Sequence, residues 1–259
     1  MKKGTVYLVG AGPGAPDLLT IRAARLLERA DIVFHDALVH PGTLALAVRA
    51  EKVAVGKRCG RHSTAQRFIN KRLIDAAARY ATTVRLKGGD PMIFGRAQEE
   101  IAALEAAGVN YEIVPGVTAA LAASAELGIA LTQRGVARSV VFATPRVGDG
   151  ARASEWADSI AAADTGAIYM GAGQAQEIAD ALRASGMAAS TPVAVVENAS
   201  LSNARTLFTT LHDLPSIGGE ALHGPTMLLI GEQYRVAQVA AQIQLGPERR
   251  DAIERQATG

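Results

Sequence analysis

The stretch VRLKGGDPMIFGR, Val84 to Arg96, decides how this chain folds and where its function is sought. Val84 and Leu86 alternate with polar residues as the end of a buried strand does. The strand stops at Gly88-Gly89-Asp90-Pro91. Two glycines permit positive φ and let a ligand approach the backbone closely. Pro91 fixes φ and has no N–H to give to a ladder. Met92, Ile93 and Phe94 are apolar although they sit in a loop, and Arg96 opens a helix. A strand end carrying a Gly-rich turn, an acid and apolar loop residues is where α/β sheets take ligands. A tight connection with a hydrophobic plug is the plainer alternative.

Upstream, a short apolar strand over 6–9 runs into GAGPGAPDLLT, Gly10 to Thr20. Gly10, Gly12 and Ala15 fit the dinucleotide fingerprint, and Asp36 ends the next strand, 32–34, at the matching distance. A dinucleotide site needs a helix N-terminus inside the glycine turn, facing the pyrophosphate. Pro13 and Pro16 delay the helix to Leu19 or Thr20. A loop lining a cleft for some other ligand then fits better, and an NAD-type oxidoreductase stays as the competing class. Leu19, Ala23, Leu26, Leu27 and Ala30 give that helix one apolar face.

The pattern continues with a helix from Pro41 through Leu44 and Val48 and a strand over 53–55. The next helix opens with a capping box, Ser63 with Gln66, and has a core face of Ile69, Leu73, Ala76, Ala77 and Tyr80. The helix from Arg96 ends at Gly108, a C-cap, and a strand covers 111–114. Strands alternating with helices predict a parallel sheet covered on both faces. Pro115-Gly116 is the best boundary and divides the chain into domains over 1–115 and 116–259. Thr118 then caps an Ala-rich helix, TAALAASAELG, closed by Gly128. Strands are expected over 140–143, 167–170, 193–196, 205–209 and 227–230, with helices near 155–163 and 174–184. The later strands follow one another without a long helix, so the second sheet should be mixed. The charged tail from Gly246 is expected to fray.

Composition narrows the class. The 259 residues are 49% hydrophobic and 20% charged, enough for a sizeable core. A net charge of +2, from 27 basic and 25 acidic side chains, does not suggest nucleic-acid binding. The basic cluster Lys57, Arg58, Arg61 and His62 can meet an anionic ligand or be a solvated loop. The single cysteine, Cys59, excludes an internal disulfide and suits a reducing compartment. The histidines are scattered and no CxxC occurs, so no metal is expected. The N-terminus enters a strand without a signal-peptide apolar region, and the longest uncharged apolar run, 113–125, is too short to span a bilayer. These features predict a soluble cytoplasmic protein with no membrane partner.

On these residues the chain resembles the uroporphyrinogen-III C-methyltransferase family within the wider tetrapyrrole methylases. The matching motifs are VGAGPGAPDLLT at 9–20, DALV at 36–39, RLKGGDPMIFGR at 85–96, VPGVTAALAA at 114–123 and LTQRG at 131–135. YMG at 169–171, VENA at 196–199 and GPTMLLIGE at 224–232 follow in the family's order. The resemblance implies an α/β fold of two domains, a parallel-sheet N-terminal one and a mixed-sheet C-terminal one, with the active site in the cleft between. It implies S-adenosylmethionine as methyl donor, S-adenosylhomocysteine as product, no metal and a homodimer. Donor contacts would fall on Pro13, Gly88, Gly89, Asp90, Ile93, Thr118, Ala119, Met170, Ala199 and Thr226. The implied substrate, uroporphyrinogen III, carries eight carboxylates and needs fork-like cations.

Arg96 and Arg134 match the family's substrate-facing arginines, Glu99 shares the face of Arg96, and Met170 lies at both donor and substrate. Asp36 would accept from pyrrole N–H groups, and Asp36, Arg96 and Glu99 are the expected catalytic set. The implied reaction is displacement at a sulfonium by a pyrrole carbon, at ring positions two and seven, giving precorrin-2. Arg96 or a water would help remove the proton, with Glu99 tuning Arg96. The chain departs from the family at Ala97-Gln98, Gln133 and Ala143-Thr144-Pro145-Arg146, positions that bear on substrate placement. A methylase of a later corrin precursor is the alternative within the family, and a tetrapyrrole carrier the alternative without catalysis.

Overall fold

A computed structural model describes residues 3–55, 64–146, 155–217 and 222–244. The chain forms two compact units, 1–122 and 123–259. The division falls inside a helix, beyond the Pro115-Gly116 loop anticipated from sequence. Cys59, the cluster Lys57, Arg58, Arg61 and His62, the cap Ser63 and the tail from Gly246 lie outside the described residues.

The first unit runs β1 (Thr5–Gly10), α1 (Ile21–Arg29), β2 (Ile32–His35), α2 (Pro41–Ala45) and β3 (Glu51–Ala54). It continues with α3 (Thr64–Ala77), β4 (Thr82–Lys87), α4 (Ala97–Ala106) and β5 (Asn110–Val114). The strands form one sheet in the order β3-β2-β4-β1-β5, and every pairing is parallel. Alternation along each strand divides its side chains between two covered faces. Val6 and Leu8 pack with Ile69 and Leu73 of α3 and Ile101 and Leu104 of α4. Val9, Val84 and Leu86 pack with Ala23, Leu26 and Leu27 of α1. The connection after β1 therefore leaves by one face and the connection after β4 by the other. Adjacent parallel strands whose connections part this way open a crevice at their C-terminal ends.

α1 starts where the prolines predicted, after Thr20, whose Oγ1 accepts from Ala23 N at 3.2 Å. A short 3₁₀ turn over Pro16–Leu18 precedes it. α2 stops at Ala45 instead of reaching Val48. Gly42 and Thr43 are weak helix formers, and Val48 is 74% exposed with no core to bind it.

α5 (Ala119–Leu127) carries the chain into the second unit, which contains β6 (Val140–Ala143), α6 (Trp156–Ala161), β7 (Thr165–Ile168) and α7 (Ala175–Ala184). β8 (Pro192–Glu197), β9 (Arg205–Thr210), α8 (Leu214–Ile217), β10 (Thr226–Ile230) and α9 (Arg235–Gln244) complete it. The order is β6-β7-β10-β8-β9. β6 and β7 are parallel, while β10 is antiparallel to both neighbours and β8 to β9. The mixed sheet expected from the missing crossovers is thus present. Ile160, Ile168, Ile178, Leu182, Val193, Val195, Leu228 and Ile230 form its core. α9 was not read from the sequence, because it buries Gln238 and leaves Val236 81% exposed, inverting the usual pattern. Among the described residues no helix is long and apolar enough to cross a membrane.

Candidate active site

Three loops meet at the C-terminal ends of β4, β1 and β5, the middle and edge strands of the first sheet. The loops after β1 and β4 are tied by reciprocal bonds, Gly89 N to Gly12 O at 2.7 Å and Gly12 N to Gly89 O at 3.2 Å. Gly12 and Gly89 have φ of +74° and +67°, a region that favours glycine. A Cβ on Gly116, in the loop after β5, would stand 2.3 Å from Gly89 O and 2.9 Å from Gly10 Cα. The backbones pack this closely only because Gly10 and Gly116 lack side chains. Pro13, Gly88, Gly89, Thr118 and Ala119 are brought to this edge by these loops. At Gly89 no heavy atom lies within 4 Å of a Cβ position, so its backbone is approachable.

Asp90 organises the turn. Its Oδ1 accepts from Met92 N at 2.8 Å, and its Oδ2 accepts from Gly116 N at 2.9 Å. The carboxylate thus locks the β4 turn to the β5 loop and keeps further lone pairs for a ligand. Ile93 N closes the turn on Asp90 O at 3.3 Å. Phe94 and Arg96 then take φ of 50° and 56°, left-handed values costly for residues with side chains. Such strain is characteristic of functional turns. Arg96 sits at the N-cap of α4 and forks onto Glu99, Nε to Oε1 at 2.7 Å and Nη2 to Oε2 at 2.8 Å. About half of each side chain is exposed. The bond from Glu99 pushes the guanidinium further up, and the bond from Arg96 holds the Glu99 carboxyl below its usual range. Arg96 is thus held as a charged donor on Glu99, the partner expected to tune it.

Asp36, at the end of β2, is 28% exposed and is held by Arg85, Nη2 to Oδ1 at 2.5 Å. Arg85 and Lys87 point to the face of β4 opposite Val84 and Leu86, and both are buried. Their counter-ion is Glu100 of α4, which is fully buried. Its Oε1 accepts from Arg85 Nε at 3.0 Å, Lys87 Nζ at 3.1 Å and Gln66 Nε2 at 3.2 Å. Its Oε2 accepts from Lys87 Nζ at 3.1 Å. Burial pushes Arg85 down, but Asp36 and Glu100 outweigh it and raise the guanidinium. Burial and the neighbouring Arg85 push Lys87 down despite Glu100. Sequence reasoning missed Arg85, Lys87 and Glu100. Their signal was two cations within a strand whose both faces are covered, which a helix had to neutralise.

In the second unit, β10 runs antiparallel between β7 and β8, so its first three residues lie beside the last residues of both. Thr226 pairs with Glu197. Leu228 pairs with Ile168. Met170, Ala199 and Thr226 are thereby gathered at one sheet end. β7 stops at Ile168, so the expected strand residues 169 and 170 lie in a turn, with Met170 at φ 57° and 44% exposed. Asn198 and Ser200, on either side of Ala199, are left-handed as well, at 54° and 72°. Glu197 props this edge, accepting from the backbone N–H of His223 and Gly224 at 2.6 Å each. Arg134 lies apart from them in sequence and fold, exposed in a turn closed by reciprocal 2.8 Å bonds between Gln133 and Ala137. Among the described residues no group of three or more His, Cys, Asp or Glu is placed to hold a metal ion.

Comparison with known proteins bears on this geometry. The profile of the Tetrapyrrole (Corrin/Porphyrin) Methylases matches residues 5–215. Siroheme synthase of Pseudomonas fluorescens (strain Pf0-1) is 46% identical over 240 residues, covering 92% of this chain and 52% of that protein. The chain spans about half the length of the curated relatives it matches. The native form of Uroporphyrin III C-methyl transferase from Thermus thermophilus is 39% identical, with a TM-score of 0.79, covering 90% of this chain and 100% of that one. The Thermus thermophilus enzyme complexed with S-adenyl homocysteine matches with a TM-score of 0.77 at 39% identity, with the same coverage.

Proposed function

The chain belongs to the Tetrapyrrole (Corrin/Porphyrin) Methylases, and within that family we propose that it methylates uroporphyrinogen III at ring positions two and seven. S-adenosylmethionine would be the donor, and precorrin-2 and S-adenosylhomocysteine the products. The observation that carries this reading is the C-terminal edge of the first sheet. There the glycine loops, Asp36 and the forked Arg96–Glu99 pair share one rim, in a chain that matches the whole length of a Uroporphyrin III C-methyl transferase.

The residues present fit the donor. The approachable backbone at Gly89, the spare lone pairs of Asp90 and the small residues Thr118 and Ala119 suit a ligand with a ribose and an amino-acid end. In the second unit the exposed Met170, with Ala199 and Thr226 at the same sheet end, carries the donor contacts that the family resemblance implies. Pro13 and Ile93 add apolar walls. When bound, the donor supplies an activated methyl, so no protein nucleophile is required. The chain's own residues bind and orient: Arg96 and Arg134 fork onto substrate carboxylates, and Asp36 accepts from pyrrole N–H groups. Glu99 keeps Arg96 charged and aimed. Holding the reacting carbon about 3–3.5 Å from the methyl supplies most of the rate. A cytoplasmic homodimer belongs to the same proposal.

The test is anaerobic incubation with S-adenosylmethionine and freshly reduced uroporphyrinogen III, followed by mass spectrometry of the tetrapyrrole. Gain of two methyl groups is expected. Donor binding with no gain would move the acceptor to a later corrin precursor, and absence of donor binding would refute the methylase reading of this site.

A further inference from the structure

The buried network behind Asp36 reaches that carboxylate through Arg85 and reaches the Arg96–Glu99 pair through Asn70, whose Nδ2 donates to Glu99 O at 3.1 Å. Two cations and one anion are almost wholly enclosed, with side-chain exposures of 3%, 4% and 0% for Arg85, Lys87 and Glu100. Burying such groups does not by itself favour stability over apolar packing of equal volume. A role in stability is therefore a weak reason for three buried charges on this face. What the network does achieve is geometric. Each nitrogen of Arg85 is committed: Nε to Glu100, Nη1 to Leu86 O at 3.2 Å and Nη2 to Asp36. Lys87 and Gln66 in turn fix the Glu100 carboxylate at both oxygens. Gln66 is itself held to Asn70 Oδ1 at 2.9 Å. The chain of bonds ends on Asp36 Oδ1, and Oδ2 accepts no hydrogen bond among the described residues.

We propose that Glu100, supported by Lys87, is a positioning residue for methyl transfer: it locks Arg85 against Asp36 Oδ1, so that Oδ2 is presented in one orientation to the tetrapyrrole. This rests on the reading of Asp36 as a substrate acceptor. Glu100 touches neither substrate nor donor and acts through the guanidinium. Glu100→Gln keeps the shape and an acceptor for Arg85, but removes the charge that balances two buried cations. Arg85 then loosens and Asp36 loses its fixed orientation.

The experiment is a double-mutant cycle on the full chain, read in single turnovers with labelled methyl donor, for Glu100→Gln, Asp36→Ala and the pair. Calorimetric binding of S-adenosylhomocysteine reports the fold. Glu100→Gln should lower turnover by up to about 100-fold, the cost of an ångström-scale misplacement, with unchanged affinity for S-adenosylhomocysteine. In the Asp36→Ala background the same substitution should cost nothing further. An equal loss in both backgrounds, or no loss in the parent, overturns the proposal. Wild-type turnover in Asp36→Ala would instead sink the reading beneath it, a different and recognisable outcome. If Glu100→Gln abolishes S-adenosylhomocysteine binding, Lys87→Met runs the same cycle. Its loss should likewise vanish without Asp36, and a loss that persists refutes positioning.

Discussion

Replacing Gly116 by alanine tests whether the glycine convergence builds the site. Gly116 is not among the glycines with left-handed φ, so alanine is allowed there by its own backbone and only neighbours oppose it. The added Cβ would lie 2.3 Å from Gly89 O, 2.9 Å from Gly10 Cα and 3.1 Å from Gly10 C. Ordinary contact needs roughly 3.4 Å, so one loop must retreat by about 1 Å. The atoms in the way are backbone and cannot swing aside. Such a retreat stretches the 2.9 Å bond from Gly116 N to Asp90 beyond hydrogen-bonding range. It also strains the Gly12–Gly89 pair. Overpacking costs about 1–3 kcal/mol, and the lost charge-assisted bond adds about 1.5 kcal/mol. A total near 3 kcal/mol corresponds to a fall of about 10 °C in the melting of the first unit. Donor affinity should drop about tenfold or more if the loops hold it, because the turn that carries Asp90 moves. Differential scanning calorimetry and titration with S-adenosylhomocysteine read the two effects. Gly173→Ala is the control, since nothing stands within 4 Å of its Cβ position. Wild-type melting and donor affinity in Gly116→Ala would refute the reasoning.

Three further outcomes are expected. Asp90→Asn leaves one oxygen for two backbone donors and points an amide N–H₂ at the other; a loss of about 1–3 kcal/mol and weaker S-adenosylhomocysteine binding should appear in calorimetry. Arg96→Ala should cut kcat/KM by about tenfold or more, the value of one forked charged pair, while donor affinity is unchanged; intact turnover would remove Arg96 from the site. Burial pushes the Glu197 carboxyl up, but the N–H groups of Gly224 and His223 and the charge of Arg205 outweigh it and hold the group below its ordinary 4.5. Its contribution is thus complete above about pH 4.5 and is lost as pH falls through the lower folded value. Glu197→Gln should lower stability near neutral pH by about 2–3 kcal/mol and flatten the acid limb of a melting-temperature profile. An unaltered acid limb would contradict that assignment.

Much of the fold was legible because local chemistry and tertiary demand agree. Pro13 and Pro16 delayed α1, and it starts at Ile21. The lack of crossovers late in the chain called for antiparallel pairing, and β10 supplies it. Where they disagree, the sequence misled. The apolar run Ala167, Ile168, Tyr169, Met170 suggested that β7 reaches residue 170, but the backbone turns left-handed at Met170. In α9 Val236 and Val239 face solvent while Gln238 is buried, so the apolar residues do not mark the side that packs. Gln66, expected as half of a capping box with Ser63, also donates from Nε2 to Glu100 and Asn70, a role no local pattern announced.

The amino-acid order alone determined which loops could bind a ligand. Glycines, prolines and the acid of the GGDP turn restrict φ and hydrogen bonding locally, and such restrictions act whatever surrounds them. It also determined the alternation of helix and strand, because periodicity is a property of the chain. Only tertiary structure decided that Gly10, Gly89 and Gly116 share one point, that Asp90 spends its carboxylate on the loops, and that Arg85, Lys87 and Glu100 stand behind Asp36. Residues 85 and 100 meet because α4 packs back on the face of β4 that Arg85 occupies. A charge in a covered strand requires a partner, but the partner's identity is set by the packing of distant segments, which no local rule encodes.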